Sequence, residues 1–139
     1  MNQTKPTKIS EINRGWHLID VKDKILGRVA SDIALLLMGK SKSNFVRNLD
    51  CGDFVVVINA SQVKVTGRKE SLKKYFRHSG YPGGFKAETL SELRIRNSRE
   101  IIKKAVSGML PQNKLKAKML KRLYVFKQEE HNYKDKFNK

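Results

Sequence analysis

Three arrangements in this 139-residue chain carry residue types that could do chemistry. Gly39-Lys40-Ser41 has the ending of a phosphate-binding loop, in which backbone amides cradle phosphate and the lysine reaches it. That motif needs a glycine five residues before Gly39, where this chain has Ala34. Its loop must also precede a helix so that the amides face the anion, whereas here the tripeptide follows a helical pattern and reads as a helix stop with a basic connection. Asp20, Asp50 and Asp53 could converge at strand ends on a metal. Carboxylates at such places more commonly serve turns and caps, and that is the reading taken. His17, His78 and His131 are far apart, and no nucleophile and base pattern surrounds them. Cys51 is the single cysteine, so there is no internal disulfide and no zinc-ligand spacing.

Two other segments point to binding. In His78-Ser79-Gly80-Tyr81-Pro82-Gly83-Gly84-Phe85-Lys86, three of the nine glycines fall within five residues. Glycine there permits close backbone approach or positive φ. Tyr75, Phe76, Tyr81 and Phe85 interleave with Lys73, Lys74, Arg77, His78 and Lys86. Irregular RNA suits such a mixture, because unpaired bases stack on aromatic faces while cations pair with phosphates. The alternative is an ordinary turn whose aromatics return to the core, a reading that holds at least equally for Phe76 and Phe85. The second segment runs from Gly108 to Arg122. From Pro111 through Lys127 there are six basic residues and no acid. A helical face without carboxylates at i±4 lacks the pairs that normally offset repulsion, which favours a phosphate-facing surface over a merely solvated one.

Positioning these segments requires a core, and the first half supplies its pattern. Trp16 to Asp20 reads as a strand. Leu26, Val29, Ala30, Ile33, Ala34 and Leu37 share one helical stripe, and Gly39 stops that helix. Phe54 to Ile58 is a β-branched run suited to a strand buried on both faces, which requires cover above and below and points to an α/β fold with a mainly parallel sheet. Val63 to Val65 suits a short strand. Thr89 and Glu92 have capping-box spacing; Asn97 or Ser98 caps a further helix carrying Ile101, Ile102, Ala105, Val106 and Met109, which Pro111 interrupts. Leu115, Met119 and Leu123 continue an apolar seam, and Leu123 to Phe126 reads as a last strand. No linker or repeat divides the chain, so we read 1–139 as a single domain, with polar termini, about 1–13 and 127–139, extended.

Lys and Arg number 30 against 13 Asp and Glu, a formal charge of +17. Residues 1–63 account for +3 of it and residues 64–139 for +14. Such self-repulsion calls for a polyanionic partner. No apolar run approaches the ~18 residues needed to cross a bilayer, and no signal peptide is evident, so the reading is a soluble intracellular protein without a membrane partner. The rival from another class is a small phosphate-substrate enzyme with Arg28, at a helix N-terminus, as its anion site; a regulator that binds messenger RNA needs the same surface chemistry as one that binds ribosomal RNA.

Read in order, Trp16 to Asp20, Leu26-Gly27-Arg28, Asp50-Cys51-Gly52-Asp53 with the valine run and Asn59-Ala60, Val65-Thr66-Gly67, His78-Ser79-Gly80 through Gly83-Gly84, Gly108-Met109-Leu110-Pro111 and the terminal Glu130-His131-Asn132 resemble one family. It is the bacterial-type large-subunit ribosomal protein numbered thirteen, and the resemblance covers about Trp16 to His131. It implies a three-layer α/β/α fold around a four-stranded, mainly parallel sheet. It further implies a structural constituent of the large ribosomal subunit that binds large-subunit rRNA and supports assembly and translation, beside neighbouring ribosomal proteins in a cytoplasmic or organellar ribosome. No catalysis, cofactor, metal or small-molecule substrate is implied. The candidate rRNA-binding residues are Arg28, Lys40, Lys42, Arg47, Arg68, Lys69, Lys73, Lys74, Arg77, His78, Gly80, Gly83, Gly84, Lys86, Lys114, Lys116, Lys118, Lys121 and Arg122. The chain departs from the family pattern in three places. Lys116 stands where glycine is usual, Arg47-Asn48 where proline and histidine are common, and Cys51 where threonine is usual, the last fitting a small buried side chain.

Overall fold

A computed structural model describes residues 5–137. The main elements are β1 (Trp16–Asp20), α1 (Leu26–Met38), β2 (Phe54–Ile58), α2 (Lys69–Leu72), β3 (Lys74–His78), β4 (Phe85–Thr89), α3 (Leu90–Met109), α4 (Lys116–Lys121) and β5 (Leu123–Val125). β2 lies between β1 and β5 and is parallel to both, with Trp16 opposite Phe54 and Val56 opposite Tyr124. β3 and β4 form a separate antiparallel hairpin in which Phe76 faces Ala87 and His78 faces Phe85. The fold is α/β, as expected, but among the described residues its parallel sheet has three strands rather than four. The expected strand at Val63–Val65 makes a single parallel bridge, from Lys64 to Ile25. A 3₁₀ turn at Ala60–Gln62 precedes it and Gly67, at φ 65°, follows it, which leaves too short an extended run for a ladder.

All six residues of the helical stripe in α1 are buried, and Gly39 ends the helix at φ 73°, its N–H donating to the Leu35 and Leu36 carbonyls. A close approach fixes this corner. A Cβ at Gly52 would lie 1.6 Å from the Leu37 carbonyl oxygen, so only glycine fits. In α3, Thr89 accepts from the Glu92 N–H while the Glu92 carboxylate accepts from the Thr89 N–H. Asn97 leaves helical geometry at φ −159° and ψ 87°, so α3 is two helical segments joined at the position expected to start a new cap. Leu110 is extended ahead of Pro111, as the proline ring requires.

Val55, Val56 and Val57 are fully buried, so β2 is covered on both faces. The covers differ in kind. Val55 and Val57 join one cluster with α1 and α3 residues including Ile33, Leu37, Ile101, Ile102 and Val106. On the other face Trp16 stacks on Phe54 at 4.5 Å, Tyr133 packs 5.2 Å from Trp16 and 4.5 Å from Tyr124, and Phe137 meets Trp16 edge-on at 6.4 Å. The expected second helical layer is therefore replaced by the C-terminal tail, which folds back over the sheet instead of extending. Aromatic rings bury large apolar area per residue, so a short tail serves where a helix was expected.

Candidate nucleic-acid interface

The carboxylates decide which cations are available. Asp50 receives both Arg122 guanidinium nitrogens and lies 3.6 Å from Arg14 Nη2. Arg122 also donates to the Leu37 and Asp53 carbonyls at 3.2 and 3.3 Å, and its side chain is 9% exposed. Asp53 accepts from Lys42 Nζ, from the Gly15 N–H at 2.9 Å and pairs with His17 Nε2 at 2.9 Å. Burial would push the Asp53 carboxyl up, but the hydrogen bonds from Lys42, Gly15 and His17 outweigh it and hold the group below its ordinary range. Lys42 further donates to the Asn13 and Cys51 carbonyls at 2.6 and 2.9 Å. Two residues expected to face RNA, Lys42 and Arg122, thus knit α1, the 50–53 turn and β5 together, and their charges are spent internally.

Asp20 has a different role from metal binding as well. It accepts from Asn59 Nδ2 and the Lys22 N–H, both at 2.9 Å, and these bonds lower its carboxyl below the usual range. Among the described residues no group of three His, Cys, Asp or Glu side chains could hold a metal ion. Glu70 pairs with Arg94, while Glu88 and Glu100 pair with Arg96 and Asp23 with Lys64.

What remains is a set of cations outside these ion pairs. Among the described residues, none of Arg28, Lys40, Arg47, Arg68, Lys69, Lys73, Lys74, Arg77, Lys86, Lys114, Lys116, Lys118 and Lys121 enters an ion pair. All are exposed except Lys116, which is half-buried. Lys116 opens α4 without positive φ, so its glycine-like position makes no special conformational demand here. Cys51 is fully buried, as its small size suggested.

Side-chain geometry brings part of this set together around recesses in the surface. A recess of about 440 Å³ is lined by Gly27 of α1, Lys69, Lys73 and Lys104. Lys73 and Lys104 stand over the Tyr75 ring at 5.5 and 4.7 Å. The aromatic face positions both ammonium groups without neutralising them, and burial raises the Tyr75 hydroxyl pKa, keeping it protonated. Lys104 also lines a second recess, of about 590 Å³, with Lys103 and Lys121. A third, of about 230 Å³, joins Lys40 and Arg47 to Pro111, Asn113 and Met119. α3 therefore bridges two cationic regions that the sequence left separate, through Lys103 and Lys104, which were not among the expected residues. The available signal was their place on the polar side of the Ile101, Ile102, Val106 stripe. Arg28, third in α1, stays exposed, and its helix has no side-chain cap.

The glycine-rich loop is the tip of the β3–β4 hairpin. Gly80 and Gly83 have φ of 85° and 72°, a Cβ on Gly84 would lie 2.0 Å from Ser79 Oγ, and His78 Nδ1 accepts from the Gly80 N–H at 2.9 Å. These glycines are needed for the turn itself. Lys74, Arg77, His78 and Lys86 project from the hairpin and are exposed. Phe76 and Phe85 do not return to the core: they are 64% and 60% exposed.

Residues 14–132 match the family model for ribosomal protein L13. The large ribosomal subunit protein uL13 of a Nitratiruptor species is 52% identical over 131 residues, covering 94% of each chain. Its counterpart from Dehalococcoides mccartyi is 51% identical over 128 residues, covering 92% of this chain and 90% of the relative. That from Prochlorococcus marinus is 47% identical over 131 residues, covering 94% and 87%.

Proposed function

Because the chain belongs to the ribosomal protein L13 family, we propose that it is a structural, non-catalytic constituent of the large ribosomal subunit in the cytoplasm, bound to large-subunit rRNA. One observation carries the interface: the described carboxylates that form ion pairs take other cations, Glu100 at the edge of the second recess included, leaving Lys69, Lys73, Lys103, Lys104 and Lys121 along two recesses that share Lys104 without an ion-pair partner. Of the other expected residues, Lys40 and Arg47 line a third recess and Arg77 and Lys86 another, while Arg68, Lys74, His78, Lys114, Lys116 and Lys118 are cations or polar groups outside these recesses that we include in the proposed RNA-facing surface. Arg28 lies at the head of α1, next to Gly27 of the first recess. We read the chain as one domain, since the buried cluster draws residues from Val21 through Val125.

The mechanism is thermodynamic. Each phosphate neutralised releases condensed counterions, so affinity carries a steep salt dependence, while the rigid α/β body holds the cations in a register that irregular RNA can match and a generic polyanion cannot. If ~6–10 phosphates are contacted, affinity falls about 10³–10⁵-fold between 50 and 200 mM salt. The test is binding of the full chain to purified large-subunit rRNA across that range, with co-sedimentation on large subunits. Lys118→Glu combined with Lys121→Glu should flatten the salt slope while leaving the fold intact; a flat slope in the unaltered protein, or its absence from subunits, overturns the reading.

A further inference from the structure

We propose that Phe76 and Phe85 form a stacking platform for an unpaired base of the bound RNA, a contact distinct from the phosphate-facing lysines. The inference rests on the RNA reading above and adds a site to it. The two rings are stacked on each other, centroids 5.6 Å apart and 21° between planes, yet both are mostly exposed. An ordered, solvent-facing aromatic pair on a hairpin holds apolar area that the fold itself leaves uncovered.

Strand register defines what surrounds it. Side chains alternate across a strand, so Lys74, Phe76 and His78 share a face with Phe85, Ala87 and Thr89, while Tyr75, Arg77, Lys86 and Glu88 point the other way. Tyr75 packs against the core, which fixes the Phe face as the outward one. That outward face carries a lysine and a histidine on either side of Phe76 and no carboxylate. The hairpin's one acid, Glu88, is on the opposite face and is engaged by Arg96. A rim with one ammonium and one imidazole donor around a flat π surface complements a nucleotide, with the base on the ring, a flanking phosphate on Lys74 and the other on the Nε2–H of His78, whose Nδ1 accepts from the Gly80 N–H. An apolar pocket of a partner protein would gain nothing from that rim. Ala87, opposite Phe76 and exposed, leaves room above the ring.

The experiment uses the full chain, purified large-subunit rRNA, and the variants Phe76→Ala, Phe85→Ala, their double and the aromatic replacements Phe76→Tyr and Phe85→Tyr. Loss of one stacked base should weaken binding by about 5- to 150-fold. The slope of log affinity against log salt should stay that of the unaltered protein, because no phosphate contact is removed. Tyrosine at either position should restore affinity, and thermal unfolding should be unchanged in every variant. Chemical probing should show one single-stranded nucleotide protected by the unaltered chain and released by the double alanine variant. Unchanged affinity and protection in that variant overturns the platform. So does unchanged RNA affinity with failed incorporation into reconstituted subunits, which would assign the face to a neighbouring protein. A weaker binder whose salt slope also falls reports a lost phosphate contact and overturns it too. Absence of salt-dependent binding by the unaltered protein is a separate result, which removes the RNA reading itself.

Discussion

Arg122 offers the sharpest trial of the division between structural and RNA-facing cations. Replacing it with methionine keeps much of the side-chain length and removes the guanidinium. Asp50, whose side chain is 12% exposed, then loses a two-pronged partner, and the Leu37 and Asp53 carbonyls lose their donor. Breaking a buried pair from one side costs about 3–5 kcal/mol, because the remaining charge stays desolvated. Arg14, 3.6 Å from Asp50, remains to offset part of that charge, which places the expected loss near the lower end, about 3 kcal/mol. Against a typical domain stability of about 5–15 kcal/mol this is large enough to read without ambiguity. Urea unfolding of Arg122→Met beside the unaltered chain gives the number. Arg122→Lys should recover only part of it, since an ammonium cannot span both Asp50 oxygens. Arg122→Met with Asp50→Leu should recover more, because no charge is then left unpaired. RNA affinity of the folded fraction, and its salt slope, should not move. A variant that keeps its stability but loses RNA affinity would refute the assignment and return Arg122 to the interface.

Other perturbations test the same architecture. Gly52→Ala drives a methyl into the Leu37 carbonyl, and because backbone must shift to admit it, stability should fall by at least the ~1–3 kcal/mol typical of overpacking, read as a lower urea midpoint. Thr89→Ala removes the cap of α3 and should cost about 1 kcal/mol, with the hairpin's amide exchange rising beside it. The folded-state pKa of Asp53 is depressed, so its stabilisation is complete above the unfolded value of about 3.9 and is lost as pH falls through the lower folded value. Acid titration of unfolding should therefore show a loss beginning near pH 4 that is shallower in Asp53→Asn; an identical acid limb in the two proteins would remove the carboxylate from the account.

The elements that the sequence disclosed are those whose signal is local. The stripe recurs at helical spacing from Leu26 to Leu37 of the thirteen-residue α1, and every member is buried. The Thr89 capping box and the stop at Gly39 depend on neighbours three or four residues away, so they too were legible. Cover for the far face of β2 was not, because Tyr133 and Phe137 sit among Lys134, Asp135 and Lys136 and look like a polar tail. The ion pairs of Lys42 and Arg122 were hidden for a related reason: Asp53 and Asp50 are their partners, and Arg122 lies far from Asp50 in sequence. The hairpin went unrecognised as paired strands because its outward face carries phenylalanines, a pattern that reads as core when the partner is still absent.

The aromatic closure of the sheet also sets an order of events during synthesis. Trp16 leaves the ribosome long before Tyr133 and Phe137, its cover, and β5, the second neighbour of β2, emerges only shortly before them. Until then the helices can gather on one side of β2 while Trp16, Phe54 and Val56 stay open to solvent. Contacts of such long sequence separation form late, and the uncovered surface is prone to association while it waits. A chain cut before Tyr133 would thus keep its exposed lysines yet present Trp16, Phe54 and Tyr124 as a sticky aromatic face to its surroundings.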